Sequence, residues 1–159
     1  MRENVMLLVS DNRSLCLRKR LRAAADMTPG LMSEIHDVTR RRALLEGNAR
    51  KVVRLRRFID AHAWTDAALA LIDLELPLWH IRRLAYDDGE WYCALSRERE
   101  LPDWLDQCVE TRHADLSLAI STALLEAQRG SVLESRPSVP NVNQTANAFY
   151  EPLRCDNFD

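Results

Sequence analysis

The residues that could do chemistry are spread along the chain, and their spacing limits what they could do. Three acids stand together at Asp87, Asp88 and Glu90. Neighbouring carboxylates can share general acid and base work when one is desolvated and its pKa raised. Here, however, Asp88-Gly89 lies between two alternating apolar runs, the pattern of a tight hairpin turn. Turn chemistry accounts for these acids without catalysis. The histidines, His36, His62, His80 and His113, never fall at the H-E-x-x-H spacing that turns two imidazoles toward one zinc ion. They read as surface or boundary residues. The cysteines (Cys16, Cys93, Cys108 and Cys155) include no C-x-x-C pair and no histidine at ligand spacing. They read as reduced thiols, Cys93 in a strand and Cys108 in a helical segment. Neither has a nearby base to make it a nucleophile. No serine sits in a G-x-S-x-G elbow, and four glycines leave no phosphate-cradling loop. The expectation is a protein with no catalytic residue, no metal and no cofactor.

The basic residues are more pointed. Between positions 40 and 57 stand Arg40, Arg41, Arg42, Arg50, Lys51, Arg54, Arg56 and Arg57, with Glu46 the sole acid. Arg50, Arg54 and Arg57 recur at helical steps, apart from an apolar stripe of Leu45, Ala49, Val52, Leu55 and Ile59. Such a row binds a phosphate backbone with strong salt dependence and little sequence preference. The competing reading is a solvated face, or one docked on the chain's own acids. Residues 1–60 carry 14 Lys/Arg against 7 Asp/Glu, a balance of +7, and residues 61–159 carry 8 against 17, a balance of −9. That asymmetry allows a polyanionic partner or docking of one half on the other. No helix-turn-helix turn, zinc finger or aromatic stacking platform accompanies the row.

The elements that must position these residues follow from periodicity. The chain has the length of one domain, and 47% apolar residues suffice for a core. The apolar run Val5–Val9 is far too short to span a bilayer or serve as a signal-peptide core, so the expectation is a cytoplasmic protein with no membrane contact. Residues 1–31, ending in the break Thr28-Pro29-Gly30, read as a weakly ordered arm or extension, 32–130 as a single domain and 131–159 as a flexible tail. Residues 34–63 are helical in pattern, with Gly47-Asn48 weakening the middle. Thr65 suits an N-cap for a short helix, 66–75, ended by Pro77. A hairpin over 79–96 follows, then a short helix opened by Leu101-Pro102-Asp103. The final helix, 114–128, presents Leu116, Ala119, Ile120, Ala123, Leu124 and Ala127, with Gly130 at the place of a C-terminal cap. The fold class is α+β: a long basic N-terminal helix, a second short helix, one antiparallel β-hairpin and an Ala-rich C-terminal helix in layers, with disordered ends.

The segment 64–128 resembles a group of small α-proteobacterial proteins of uncharacterised function. The resemblance rests on a helix ending LELP, the strand WHIRRLAY, the turn DDGEW, the strand YCALS, then LPDWL and LAISTALLEA. It is also loosely similar to the phage ABA sandwich domain. Both imply a layered α/β unit and no activity. A second resemblance is to two-component receiver domains. VMLLVSDN at 5–12 would place Asp11 in the metal-binding acidic cluster, and LALIDLELP at 69–77 would make Asp73 the phospho-acceptor. That chemistry needs Mg²⁺ and a lysine after the acceptor. The only lysines, Lys19 and Lys51, precede Asp73, and one hairpin follows it, so Asp73 reads as a solvated helix residue.

The functional expectation is a small non-enzymatic binding or regulatory protein. Its partner would be another protein or a second copy, as a homodimer, met through the Trp79 and Trp91 surface. The alternative is a nucleic-acid-associated accessory protein using Arg50, Arg54 and Arg57. A degenerate receiver is the third reading.

Overall fold

The computed structural model describes residues 2–40, 47–97 and 108–134, with side chains described from 12 to 130 within those stretches. Among these described residues, five helices and three strands run in the order α1 (Arg2–Ala23), α2 (Pro29–Thr39), α3 (Ala49–Asp60), α4 (Trp64–Glu75), β1 (His80–Asp87), β2 (Glu90–Ser96), β3 (Cys108–His113) and α5 (Leu116–Glu134). The fold is α+β. None of the described helices is long and apolar enough to cross a membrane.

Local chemistry sets most of the boundaries. Thr28 accepts the Leu31 N–H through its Oγ1 at 3.2 Å, with Pro29 at the first helical position. The Thr-Pro-Gly break is therefore the start of α2, a capped helix N-terminus with its proline where no N–H is missed. α2 ends at Thr39 and α3 begins at Ala49, so the helical stretch expected over 34–63 is two helices, with Gly47 in the left-handed region at φ +90 just ahead of the second. His62, at φ 56, turns the chain between α3 and α4 and stacks on Trp64 at 4.9 Å. As a result α4 begins at Trp64, and Thr65 lies inside its first turn without acting as the cap. Asp115 caps α5: its Oδ1 accepts the Leu118 N–H at 2.9 Å. Gly130 is interior to α5 and keeps a negative φ, so it does not terminate the helix.

The sheet has three antiparallel strands in the order β1-β2-β3. Asp88 and Gly89 both have positive φ (49 and 83), the left-handed pair that a two-residue hairpin turn requires. The expected hairpin is thus correct but incomplete. Cys108, expected in a helical segment, heads β3 opposite Ser96. β3 continues through Leu95↔Val109, Cys93↔Thr111 and Trp91↔His113. The expected tail is shortened, because α5 continues through residues 131–134. The short helix expected to open at Leu101-Pro102-Asp103 and the chain after Glu134 lie outside the described residues.

The core forms where α5 meets the sheet on one side and α1, α2 and α4 on the other. Leu71, Leu74, Cys93, Leu95, Leu118, Ile120 and Leu124 are buried there. Leu17, Leu21, Met27 and Leu31 join the same cluster, so the core extends ahead of residue 32. Arg18 and Arg22 both reach Glu126 on α5 at 3.2 Å, and Gln128 donates to the Thr39 carbonyl at 3.2 Å. α3 sits outermost, packed on α4 with Leu55 buried and Val52 and Ile59 half-buried.

Leu21 has no exposed surface. Leu21→Ala leaves a cavity and is expected to lower stability by about 2–5 kcal/mol. Urea unfolding followed by circular dichroism measures it, and an unchanged midpoint would detach α1 from the core.

Candidate functional site

Two surfaces bring together groups with binding chemistry. The first is the outer face of α3. At about 100° per residue, Arg50, Arg54 and Arg57 span about 60° of the helix circumference. They lie almost diametrically opposite Val52, Leu55 and Ile59, which hold α3 to the protein. Burying that stripe therefore turns the row outward, and all three arginines are exposed. Among the described residues none of them, nor Arg56, forms an ion pair with a carboxylate. The internal-docking alternative has one representative. Lys51, around the side of the helix, contacts Asp73 on α4, with Nζ 3.1 Å from Oδ1 and 3.0 Å from the backbone carbonyl. Arg54 instead lies over the Phe58 ring, its Cζ 5.4 Å from the centroid. A ring positions a guanidinium without neutralising it.

The same contact places Asp73 on an exposed helix surface. The strand that a receiver domain needs there is α4, and Asp11 lies within α1 instead of at a strand end. The sheet is antiparallel throughout. Among the described residues the receiver resemblance therefore has no structural counterpart.

The second surface is the face of the sheet turned away from α5. Directly paired residues share a face, so Arg83↔Ala94, Ala85↔Tyr92 and Asp87↔Glu90 line it from the hairpin, and Tyr92↔Arg112 and Ala94↔Glu110 line it from β3. All of these except the buried Ala94 line an open basin of about 290 Å³. Tyr92, on the central strand, carries Arg83 from one neighbour at 5.6 Å and Arg112 from the other at 5.4 Å from its ring centroid. Partial burial, a hydrogen bond to the Glu110 carboxylate and that carboxylate's charge push the Tyr92 phenol up to about 12, with Arg83 opposing. At neutral pH it is a fixed donor with two cations stacked on its ring. Sequence inspection missed this cluster because Arg112 and Glu110 reach it only through β3.

The two tryptophans do not form an open contact surface. Trp79 is 8% exposed and belongs to the core, while Trp91 is half-buried against it and meets Tyr86 at 5.2 Å. Burial also pushes the Cys93 thiol up to about 11, which keeps it protonated and unreactive. Among the described residues no three His, Cys, Asp or Glu side chains converge as metal ligands would. No protein-family model, curated protein or solved structure matches the chain.

A phenol that is harder to ionise in the folded state stabilises the fold below its unfolded pKa of about 10. The contribution is lost as pH rises toward about 12. Glu110→Gln removes the neighbouring charge and is expected to bring the slowest-titrating tyrosine toward the ordinary value. Ultraviolet absorbance of the phenolate across the alkaline range reads this directly, and Tyr92→Phe identifies the transition.

Proposed function

We propose that this protein is a non-catalytic binding module whose working surface is the arginine row of α3, and that its ligand is a nucleic acid held through the phosphate backbone. One observation carries the reading: Arg50, Arg54 and Arg57 project together from the side of α3 opposite its buried stripe, and none is spent on a carboxylate among the described residues. Successive positions three and four apart on a helix lie about 5–6 Å from each other, close to the spacing of phosphates along a strand. The row adds charge without base-reading groups, so it favours affinity over sequence preference. The protein-contact reading through Trp79 and Trp91 has less support, because the Trp79 indole is enclosed. Among the described residues Cys16, Cys93 and Cys108 are in no disulfide, in keeping with a reducing, cytoplasmic setting.

Labelled generic duplex and single-stranded nucleic acid, titrated with the protein and followed by anisotropy at several salt concentrations, tests the proposal. Micromolar binding at low salt is expected, with a steep decline as salt rises. Arg50→Glu, Arg54→Glu and Arg57→Glu together should abolish it. Changing them singly to alanine should reduce the slope of log affinity against log salt by roughly 0.7–0.9 each. Absence of binding at low salt, or binding that the triple variant retains, overturns the proposal.

A further inference from the structure

The helix layer covers only part of the sheet. α5 lies across β2 and β3. On the same face β1 presents Leu84 and Tyr86, which pair with Cys93 and Trp91 and so point toward the helix side. Yet they are 40% and 60% exposed, whereas Cys93 has no exposed surface. Among the described residues no strand pairs with the outer edge of β1. An uncovered apolar strip beside an open strand edge is a template for another strand.

The sequence of β1 shows which strand fits. Suppose a second copy of β1 is laid antiparallel, with Ala85 opposite its own symmetry mate. Leu84 then faces Tyr86 of the second copy on the helix side, and Arg83 faces Asp87 of the second copy on the basin side. By symmetry each pair occurs twice, once on either side of the axis. Apolar meets apolar and cation meets anion on the correct faces, which a parallel arrangement or a one-residue slip does not give.

The backbone agrees with this register. In a two-residue hairpin the residues flanking the turn, here Asp87 and Glu90, exchange both backbone hydrogen bonds. Asp87, Ala85 and Arg83 therefore direct their N–H and C=O groups toward β2, and Leu84 and Tyr86 direct theirs to the open edge. Leu84 against Tyr86 of the second copy is then a fully hydrogen-bonded pair. The register shift between Ile81 and Arg83 lies beyond this stretch, leaving 83–87 regular. We propose that the protein forms a two-fold homodimer through antiparallel pairing of β1 with β1 of a second copy, giving one continuous sheet of both copies, with Leu84/Tyr86 and Arg83/Asp87 as its specificity contacts.

The test is sedimentation of the full chain over a wide concentration range, alongside a charge-swap series. A dimer is expected, and both Arg83→Asp and Asp87→Arg should weaken it by about tenfold, since each places like charges opposite one another at two symmetric positions. The double variant R83D/D87R restores opposite charges and should regain most of the lost affinity. That recovery separates an interface effect from damage to the fold, which circular dichroism checks independently. Three results overturn the proposal: a monomer throughout the range, a dimer indifferent to both single changes, or a folded double variant no better than the singles.

Discussion

The structure depends on α5 being buried on every side. Every residue from Ser117 to Leu125 is buried, including Ser121 and Thr122. A helix apolar around its whole circumference must be enclosed by more than one layer. The sheet takes one side, and α1, α2 and α4 take the other. Small side chains make this possible: Ala119, Ala123 and Ala127 have no exposed surface and let neighbouring backbones approach. Polar contacts then fix its position along the axis. The Thr111 hydroxyl donates to the Ala119 carbonyl at 2.8 Å, Arg18 and Arg22 hold Glu126, and Gln128 reaches the end of α2. The Arg18 guanidinium is almost wholly buried, so removing Glu126 would leave a charge without compensation.

Elements that do not enclose α5 are left to form surfaces. α3 attaches through one stripe to α4, and β1 hangs from β2 beyond the helix layer. Both carry arginines held by aromatic rings: Arg54 over Phe58, and Arg83 over Tyr92. An ion pair would cancel much of the field of such a cation, whereas a ring only orients it. In the basin, Glu110 is directed to the Tyr92 hydroxyl. The basic and acidic halves of the chain meet in few places among the described residues, chiefly at Glu126 and at Lys51–Asp73. Around α3, the positive charge of the described residues therefore stands at the surface instead of being consumed within the fold.

Legibility in the sequence followed the strength of local chemistry. Asp88-Gly89 specified its turn because both residues need positive φ, which few other pairs tolerate. The arginine row was legible because the apolar stripe opposite it fixed the helix phase. β3 was not legible: Cys108–His113 (CVETRH) lacks clean alternation, since its polar face is open and its other face contributes Thr111 and His113 to the covered side. Without β3 neither Arg112 nor Glu110 could be placed beside Tyr92, so the basin was invisible. Thr28-Pro29-Gly30 misled because a proline breaks a preceding helix and starts a following one with equal ease, and only the Thr28 cap decides between them. Trp79 misled for a different reason: the hairpin pattern assigns it a face, but it precedes β1 in a turn closed by its N–H donating to the Leu76 carbonyl, and there it is enclosed in the core.

The two proposed surfaces occupy different elements, and this has a thermodynamic consequence. Neither Leu84 nor Tyr86 lies on α3, and none of the row arginines lies on β1, so the contacts that would join two copies take nothing from the arginine row. A β1-paired dimer would then carry two intact rows in one rigid sheet-linked body. Once one row engaged a long polyanion, the second would meet the same strand at a high effective concentration, provided the spacing allowed both to reach it. The coupling is reciprocal: a polyanion that binds the dimer more tightly than the monomer must favour dimerisation by the same factor. Three arginines on a single helix make a weak site. The proposed dimer would double that site across a strand edge and so strengthen it, without adding to the positive charge of a chain whose net charge is −2.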